Sequence, residues 1–165
     1  MEWIKHIILL VIVFLIQVLL IGNLHLWGIC HPYIYILCLL MLPITLPVWA
    51  EMLIGVTVGG LMDIFSNTPG VHFASCVLLM YMRRLIIPRL VFEPERLSGP
   101  ITSESIGPHA FFQYVILLTL LHHTAVLQLS AWSFSHIGWT LLAILVSSLV
   151  SIGVILLYDL IQTRR

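Results

Sequence analysis

The chain has 165 residues, of which 61% are hydrophobic and 8% are charged, and its mean hydropathy is +1.12. A soluble domain carries about 25% charged residues, and no soluble fold of this size buries so much apolar surface. The composition therefore excludes a soluble globular protein and predicts an integral membrane protein. Seven basic residues balance seven acidic ones, so the sequence offers no basic domain for nucleic acid.

Six apolar stretches have about the length that a membrane-spanning helix requires, which is about 20 residues. We place these spans roughly at residues 4–22, 32–47, 48–64, 69–87, 109–130 and 137–161. The first stretch is longer than the apolar part of a signal peptide and has no small-residue cleavage pattern after it, so we predict a retained span. The sequence thus predicts a single all-α domain over residues 1–165 with six transmembrane helices.

The second and third spans are joined by LPITLPVW, which contains Pro43 and Pro47. Proline removes a backbone donor and clashes with the preceding helical turn, so the helix is expected to break or kink here. A re-entrant pair of segments is the alternative to two full spans.

The basic residues indicate the orientation of the six spans. They fall before span one, around the loop at residues 88–108 and at the C-terminus, at Lys5, Arg83, Arg84, Arg89, Arg96, Arg164 and Arg165. Basic residues stay on the cytoplasmic side, so both termini and the 88–108 loop are predicted to be cytoplasmic. This loop is either a solvated connector, a segment on the membrane surface or a contact for a cytoplasmic partner.

The outer turn between spans three and four has the sequence GGLMDIFSNTPGVH. Thr68 suits a helix N-cap and Pro69 the first helical position. Asp63 is expected to accept N–H bonds from the turn that follows it, and a proton or ligand role is the alternative. The candidate residues of this structural turn are Gly60, Asp63, Asn67, Pro69, Gly70 and His72.

Polar residues inside the spans are the other candidates, because each needs a partner in hydrocarbon. Glu51 lies near the start of span three, and His122 and His123 are adjacent in span five. Adjacent helical positions point about 100° apart, so these histidines are predicted to form structural hydrogen bonds rather than share a metal. The chain has no HExxH, GxSxG or P-loop motif, and its three cysteines exclude a complete disulfide framework. We therefore predict no catalytic residues, no metal and no cofactor.

Small residues recur at helical spacing in two of the predicted spans. Gly55 and Gly59 form GxxxG in span three, and Ala143, Ser147 and Ser151 repeat every four residues in span six. Such faces let helices approach closely. They are expected to pack spans three and six together within the chain, or to receive a helix from another protein.

Residues 31–76 resemble MreD, the rod shape-determining membrane protein family, in the form found in Bacteroidota. The features that carry the resemblance are His31-Pro32, Pro43, Trp49, Gly60-Leu61, Asp63, Phe65, Asn67, Gly70 and His72. Further along the chain, Gly107-Pro108, Phe112, Tyr114, His122-His123 and the WSFS stretch at residues 132–135 also fit. The stretch LQLSAWSF lacks the acidic residue that often precedes the aromatic segment in such relatives.

The resemblance implies a non-enzymatic part of the cell-wall elongation machinery in the bacterial inner membrane. Its implied partners are MreC above all, then MreB and RodA with its transpeptidase in a larger complex, and membrane lipids. It also implies a compact six-helix bundle like the substrate-binding subunits of ECF vitamin transporters. Two other functions stay open: a small-molecule-binding transporter subunit with Asp63, Asn67 and His72 at a cavity mouth, and a proton-linked carrier that uses Asp63.

Overall fold

A computed structural model of the chain describes residues 2–21, 30–131 and 137–164. In chain order, its helices are α1 (Glu2–Ile16) with a following π-helical turn (Gln17–Ile21), α2 (Ile36–Leu40), α3 (Val48–Ser66), α4 (Val71–Leu90), a 3₁₀ turn (Pro94–Arg96), α5 (Ser103–Ile106), α6 (Pro108–Ala131) and α7 (Ile137–Thr163). The WSFS stretch at residues 132–135 lies outside the described residues.

Four of the described helices are long and apolar enough to cross a membrane: α3, α4, α6 and α7, with 19, 20, 24 and 27 residues. The part of the chain before them contributes a shorter apolar stretch, Ile8–Leu19, in α1 and its π-helical turn. Because an α-helix satisfies its own backbone polar groups, it can cross hydrocarbon. The prediction of an all-α membrane protein is therefore confirmed.

The second predicted span, at residues 32–47, takes a different form. Only Ile36–Leu40 is helical, and the chain on both sides of this helix is irregular. Pro43 and Pro47 follow within seven residues and lack the N–H donors that a continuing helix needs. Residues 35–43 are all buried. The expected membrane helix is thus replaced by a buried and largely irregular stretch, and we refer to residues 30–47 as the core segment.

The long helices pack in sequence around this core segment. α3 packs on α4, α4 on α6, and α6 on α7. Buried side chains from residues 35–42 contribute to one apolar core that also contains Val58, Leu79 and Leu118. The inner pair, α4 and α6, has 44% of its most apolar stretch buried, against 28% for α3 and 33% for α7. Of these four helices, α3 and α7 therefore have the larger exposed share within the described part of the chain.

The 88–108 loop is folded over part of its length. Helix α4 continues through Pro88 to Leu90. Thr102 and Ser105 form a capping box at the start of α5, in which each side-chain oxygen accepts from the other residue's backbone N–H, at 3.2 and 2.8 Å. The backbone N–H of Ser103 donates to the Asp159 carboxylate at 3.0 Å, which ties α5 to the end of α7.

Candidate functional site: two buried polar clusters

The first half of the core segment has its backbone bound by side chains. Gln17 donates from Nε2 to the Pro32 carbonyl at 3.1 Å, and its Oε1 accepts from the Ile34 N–H at 2.7 Å. On the other side, the hydroxyl groups of α7 accept two further N–H groups. His31 donates to Ser147 at 2.8 Å and Tyr33 donates to Ser151 at 3.1 Å.

The second half of the core segment is bound in the same way by α4 and α6. The Tyr114 hydroxyl donates to the Leu40 carbonyl at 2.8 Å. The guanidinium group of Arg83 donates to the Leu42 carbonyl, and that of Arg84 donates to the Leu46 carbonyl. Irregular backbone is tolerated at membrane depth only where protein supplies its hydrogen bonds. These side chains meet that condition for seven backbone groups between His31 and Leu46.

The Tyr35 hydroxyl is the centre of what we call the histidine cluster, formed by Tyr35, His72, Cys76, His122 and His123. It lies 3.0 Å from Nδ1 of His72 and 2.7 Å from Nε2 of His122. The Cys76 thiol donates to the same oxygen at 3.6 Å. Since a hydroxyl has one proton, it donates to one imidazole and accepts from the other. All these side chains are buried, so the hydroxyl joins the core segment to α4 and α6.

The two adjacent histidines of α6 point to different partners. His122 binds Tyr35, whereas His123 binds the Thr119 carbonyl through Nδ1 at 2.9 Å and the Ser151 hydroxyl through Nε2 at 3.1 Å. The Tyr33 ring packs against both imidazoles, with centroid distances of 6.1 Å to His122 and 5.2 Å to His123. The pair therefore links α6 to the core segment and α7.

The arginine cluster consists of Glu51, Arg83, Arg84 and Tyr114. Glu51 receives Arg83 Nη1 on one carboxylate oxygen at 2.6 Å and Arg84 Nε on the other at 2.8 Å. Nε of Arg83 also donates to the Tyr114 hydroxyl at 3.0 Å. Glu51 and Arg83 have no exposed surface, and the Arg84 side chain is 27% exposed. Glu51 is therefore a fully buried partner of two arginines.

The Asp63 carboxylate receives four hydrogen bonds from the outer turn. Its donors are the Thr68 hydroxyl at 3.0 Å and the backbone N–H groups of Gly70, His72 and Phe73 at 3.1, 2.9 and 2.9 Å. Because the first N–H groups of a helix lack intrahelical partners, this carboxylate caps α4 from the end of α3. The same turn positions the His72 ring against Tyr35.

Other residues of the outer turn differ in detail from the sequence expectation. Helix α4 begins at Val71 rather than at Pro69, and its N-cap is Gly70 rather than Thr68. Gly70 and Asn67 adopt left-handed conformations, with φ of +85° and +53°. A Cβ at Gly70 would meet no atom within 4 Å, so this position requires glycine for its backbone angle and not for close approach. Gly60 likewise has open space beside it.

Gly55 and Gly59 pack against α4 rather than against the sixth predicted span. A Cβ at Gly59 would lie 2.6 Å from the His72 carbonyl oxygen, and one at Gly55 would lie 3.3 Å from that of Cys76. Ala143, Ser147 and Ser151 are also buried, and the two serines bind the core segment. Both small-residue faces are thus occupied within the chain.

Sequence reasoning missed Tyr35, Cys76 and Tyr114 and interpreted Arg83 only as an orientation signal. The sequence did contain one signal for the role of Arg83. This charged residue interrupts an apolar run, and a charged group within a membrane span requires a partner. Asp159, near the end of α7, is 5% exposed and binds the backbone N–H of Ser103.

Within residues 2–21, 30–131 and 137–164, no group of three His, Cys, Asp or Glu side chains is arranged to hold a metal ion. The chain matches no protein-family model, no curated protein and no solved structure. The internal geometry is therefore the basis for a functional proposal, together with the resemblance of residues 31–76.

Proposed function

We propose that this chain is a non-enzymatic scaffold of the MreD type in the cell-wall elongation machinery of the bacterial inner membrane. In this proposal six segments cross the membrane: the four long helices, α1 with its π-helical turn, and the core segment. Both termini and the 88–108 loop lie in the cytoplasm. The distribution of basic residues supports this orientation.

The main support for the proposal is what the polar side chains of the predicted spans bind. Gln17, Arg83, Tyr114, Ser147 and Ser151 all bind the backbone of the core segment. Polar groups that serve transport or catalysis converge instead on a cavity or a substrate. Polar side chains that bind the chain's own backbone make it rigid, as a membrane platform requires.

The exposed face of α7 is the proposed binding surface for the single transmembrane helix of an MreC-type partner. Leu149 and Leu157 on this face are 69% and 57% exposed. Gly153 lies between them, and a Cβ there would meet no atom within 4 Å. A small residue between two leucines allows close approach of another helix. MreB and RodA with its transpeptidase would join the larger complex.

The transporter-subunit alternative has less support. Its proposed cavity mouth would use Asp63 and His72, but Asp63 receives four hydrogen bonds and His72 is buried against Tyr35. A cleft of about 450 Å³ does exist, but its lining comes from the 88–108 loop, Leu9, Met41 and the end of α7. That location is the opposite end of the bundle from the outer turn.

The experiment is purification of the tagged chain from its native membrane in mild detergent, followed by mass spectrometry. A single-span protein with a periplasmic coiled coil, together with wall-synthesis enzymes, is the expected result. Soluble ATPases and a coupling membrane subunit would instead identify a transporter component and reject the scaffold.

The same experiment tests the α7 face with two variants. We expect Gly153→Leu to lose the single-span partner, since added bulk prevents close approach. Gly60→Leu on α3, which also enters open space, should retain it. Loss of the partner only with Gly60→Leu would place the contact on α3.

A further inference from the structure

The arginine cluster is not electrically balanced. Two guanidinium groups, Arg83 and Arg84, share the single carboxylate of Glu51. Tyr114 and the carbonyl oxygens of Leu42 and Leu46 complete the hydrogen bonding, but they carry no charge. Among the described residues, these contacts leave the cluster with one net positive charge, and Arg84 is its partly exposed member.

Arg84 lines a cleft of about 320 Å³ at this end of the bundle. The residues around the cleft come from the core segment, the end of α4 and the loop after it: Ile44, Thr45, Arg84, Pro88, Pro94 and Leu97. Among the described side chains, the lining contains one cationic group, one hydroxyl group and four apolar groups, and no acidic group. Its chemistry therefore suits an anion that carries apolar substituents.

The surroundings of the cleft have the character of a membrane interface. Trp49, in the first turn of α3, is 71% exposed, and Phe92, just after α4, is 92% exposed. Arg89 lies on the last turn of α4 and is also exposed. Aromatic residues concentrate at the headgroup level, where one side is apolar and the other is wet. The cleft thus lies where phospholipid headgroups would reach it.

We propose that this cleft binds the phosphate headgroup of an anionic phospholipid. Nε and Nη2 of Arg84 already bind Glu51 and the Leu46 carbonyl, so Nη1 is the nitrogen that would donate to a phosphate oxygen, in a charge-assisted hydrogen bond. The bound anion would offset the unbalanced charge of the cluster. Ile44 and Leu97 would contact the glycerol and the first acyl carbons. Basic pockets on the cytoplasmic side of membrane proteins recognise anionic headgroups by this chemistry. The proposal does not depend on the identity of any protein partner.

Thr45 allows a test that leaves the buried ion pairs intact. It lines the cleft, its side chain is exposed, and it forms no hydrogen bond among the described contacts. Thr45→Glu would place an anion in the cleft and repel the phosphate, whereas Thr45→Lys would add a cation and attract it. A folding defect cannot produce opposite effects in the two variants. Ser98→Glu is the matched control, because it makes the same charge change in a different cleft at this end.

The measurement is native mass spectrometry of the full chain from micelles with equal amounts of phosphatidylglycerol and phosphatidylcholine. We expect phosphatidylglycerol adducts to exceed phosphatidylcholine adducts by about tenfold, equivalent to about 1.4 kcal/mol. Thr45→Glu should abolish this preference, Thr45→Lys should increase it, and Ser98→Glu should leave it unchanged.

Three results would overturn the proposal. The first is equal binding of the two lipids by the unaltered chain. The second is loss of the preference in Ser98→Glu to the same extent as in Thr45→Glu, because charge alone would then explain it. The third is displacement of phosphatidylglycerol by millimolar inorganic phosphate, which would identify a site for the free anion.

Discussion

Nη1 of Arg83 lies 2.6 Å from Oε1 of Glu51, and neither side chain has any exposed surface. This ion pair joins α3 to α4, and its arginine also holds the Leu42 carbonyl of the core segment. Removing one partner of a buried ion pair leaves a buried charge unpaired, which is far more costly than the pair itself is favourable.

We therefore expect Glu51→Gln to be strongly destabilising, by about 3–5 kcal/mol, because it leaves two arginines without a counter-charge. Arg84→Gln should cost less, since Arg83 continues to pair with Glu51. Thermal unfolding in detergent measures both effects. Arg96→Gln is the control, because its ion pair with Glu93 is exposed. Equal stability of Glu51→Gln and the unaltered chain would contradict the role of this cluster.

Gly59 should tolerate no larger side chain. A Cβ there would lie within 2.6 Å of the His72 carbonyl oxygen, so Gly59→Leu must separate α3 from α4, and overpacking of this kind costs at least about 1–3 kcal/mol. Gly60→Leu, the neighbouring control, enters open space. The readout is the fraction of membrane-inserted protein that elutes as a single species on size exclusion. A normal elution profile for Gly59→Leu would be inconsistent with this packing.

Asp63→Asn should destabilise the start of α4. An amide retains one acceptor oxygen and turns an NH₂ group toward backbone donors, so at least one of the three N–H bonds is lost, at about 1–3 kcal/mol for each buried donor left unpaired. Asn67→Gly is the matched control, since glycine adopts the left-handed conformation of that position freely. Hydrogen exchange of the amides of residues 70–73 should accelerate only in Asp63→Asn.

Gln17→Leu should leave the Pro32 carbonyl and the Ile34 N–H of the core segment without their bonds. Each orphaned buried group costs about 1–3 kcal/mol, although leucine itself suits the apolar surroundings. Gln113→Leu is the control, because Gln113 is exposed on α6. In thermal unfolding, the midpoint of Gln17→Leu should therefore fall below that of Gln113→Leu. Equal midpoints would show that Gln17 does not stabilise the core segment.

Tyr35→Phe should weaken the histidine cluster, because it removes the hydroxyl that both His72 and His122 contact. Tyr33→Phe should have little effect, since the described contacts of Tyr33 come from its ring and its backbone N–H. Imidazole resonances of isotope-labelled histidine should shift in Tyr35→Phe and remain nearly unchanged in Tyr33→Phe. The reverse pattern would place the centre of the cluster elsewhere.

The sequence predicts the long helices well because a membrane helix leaves a clear pattern in the sequence. The pattern is a long apolar run that begins or ends at residues such as Pro108. Local geometry also accounts for the hydrogen bonds that Asp63 accepts from the following turn and for the separate partners of the adjacent histidines. The sequence does not predict the core segment, because an apolar run of this length resembles a short membrane helix. The bonds that replace the helix come from Gln17, Arg83, Tyr114 and Ser151, which lie up to 118 residues from the backbone groups that they bind. Contacts between residues so far apart in the sequence cannot be predicted from a local sequence pattern.

The binding of the core segment by distant side chains imposes an order on biogenesis. Residues 30–47 leave the ribosome before Tyr114, Ser147 and Ser151 have been synthesised. Until those residues arrive, the free N–H and C=O groups of the segment would each cost several kcal/mol in lipid. The full set of native hydrogen bonds of the segment can therefore form only after the last helix has been synthesised.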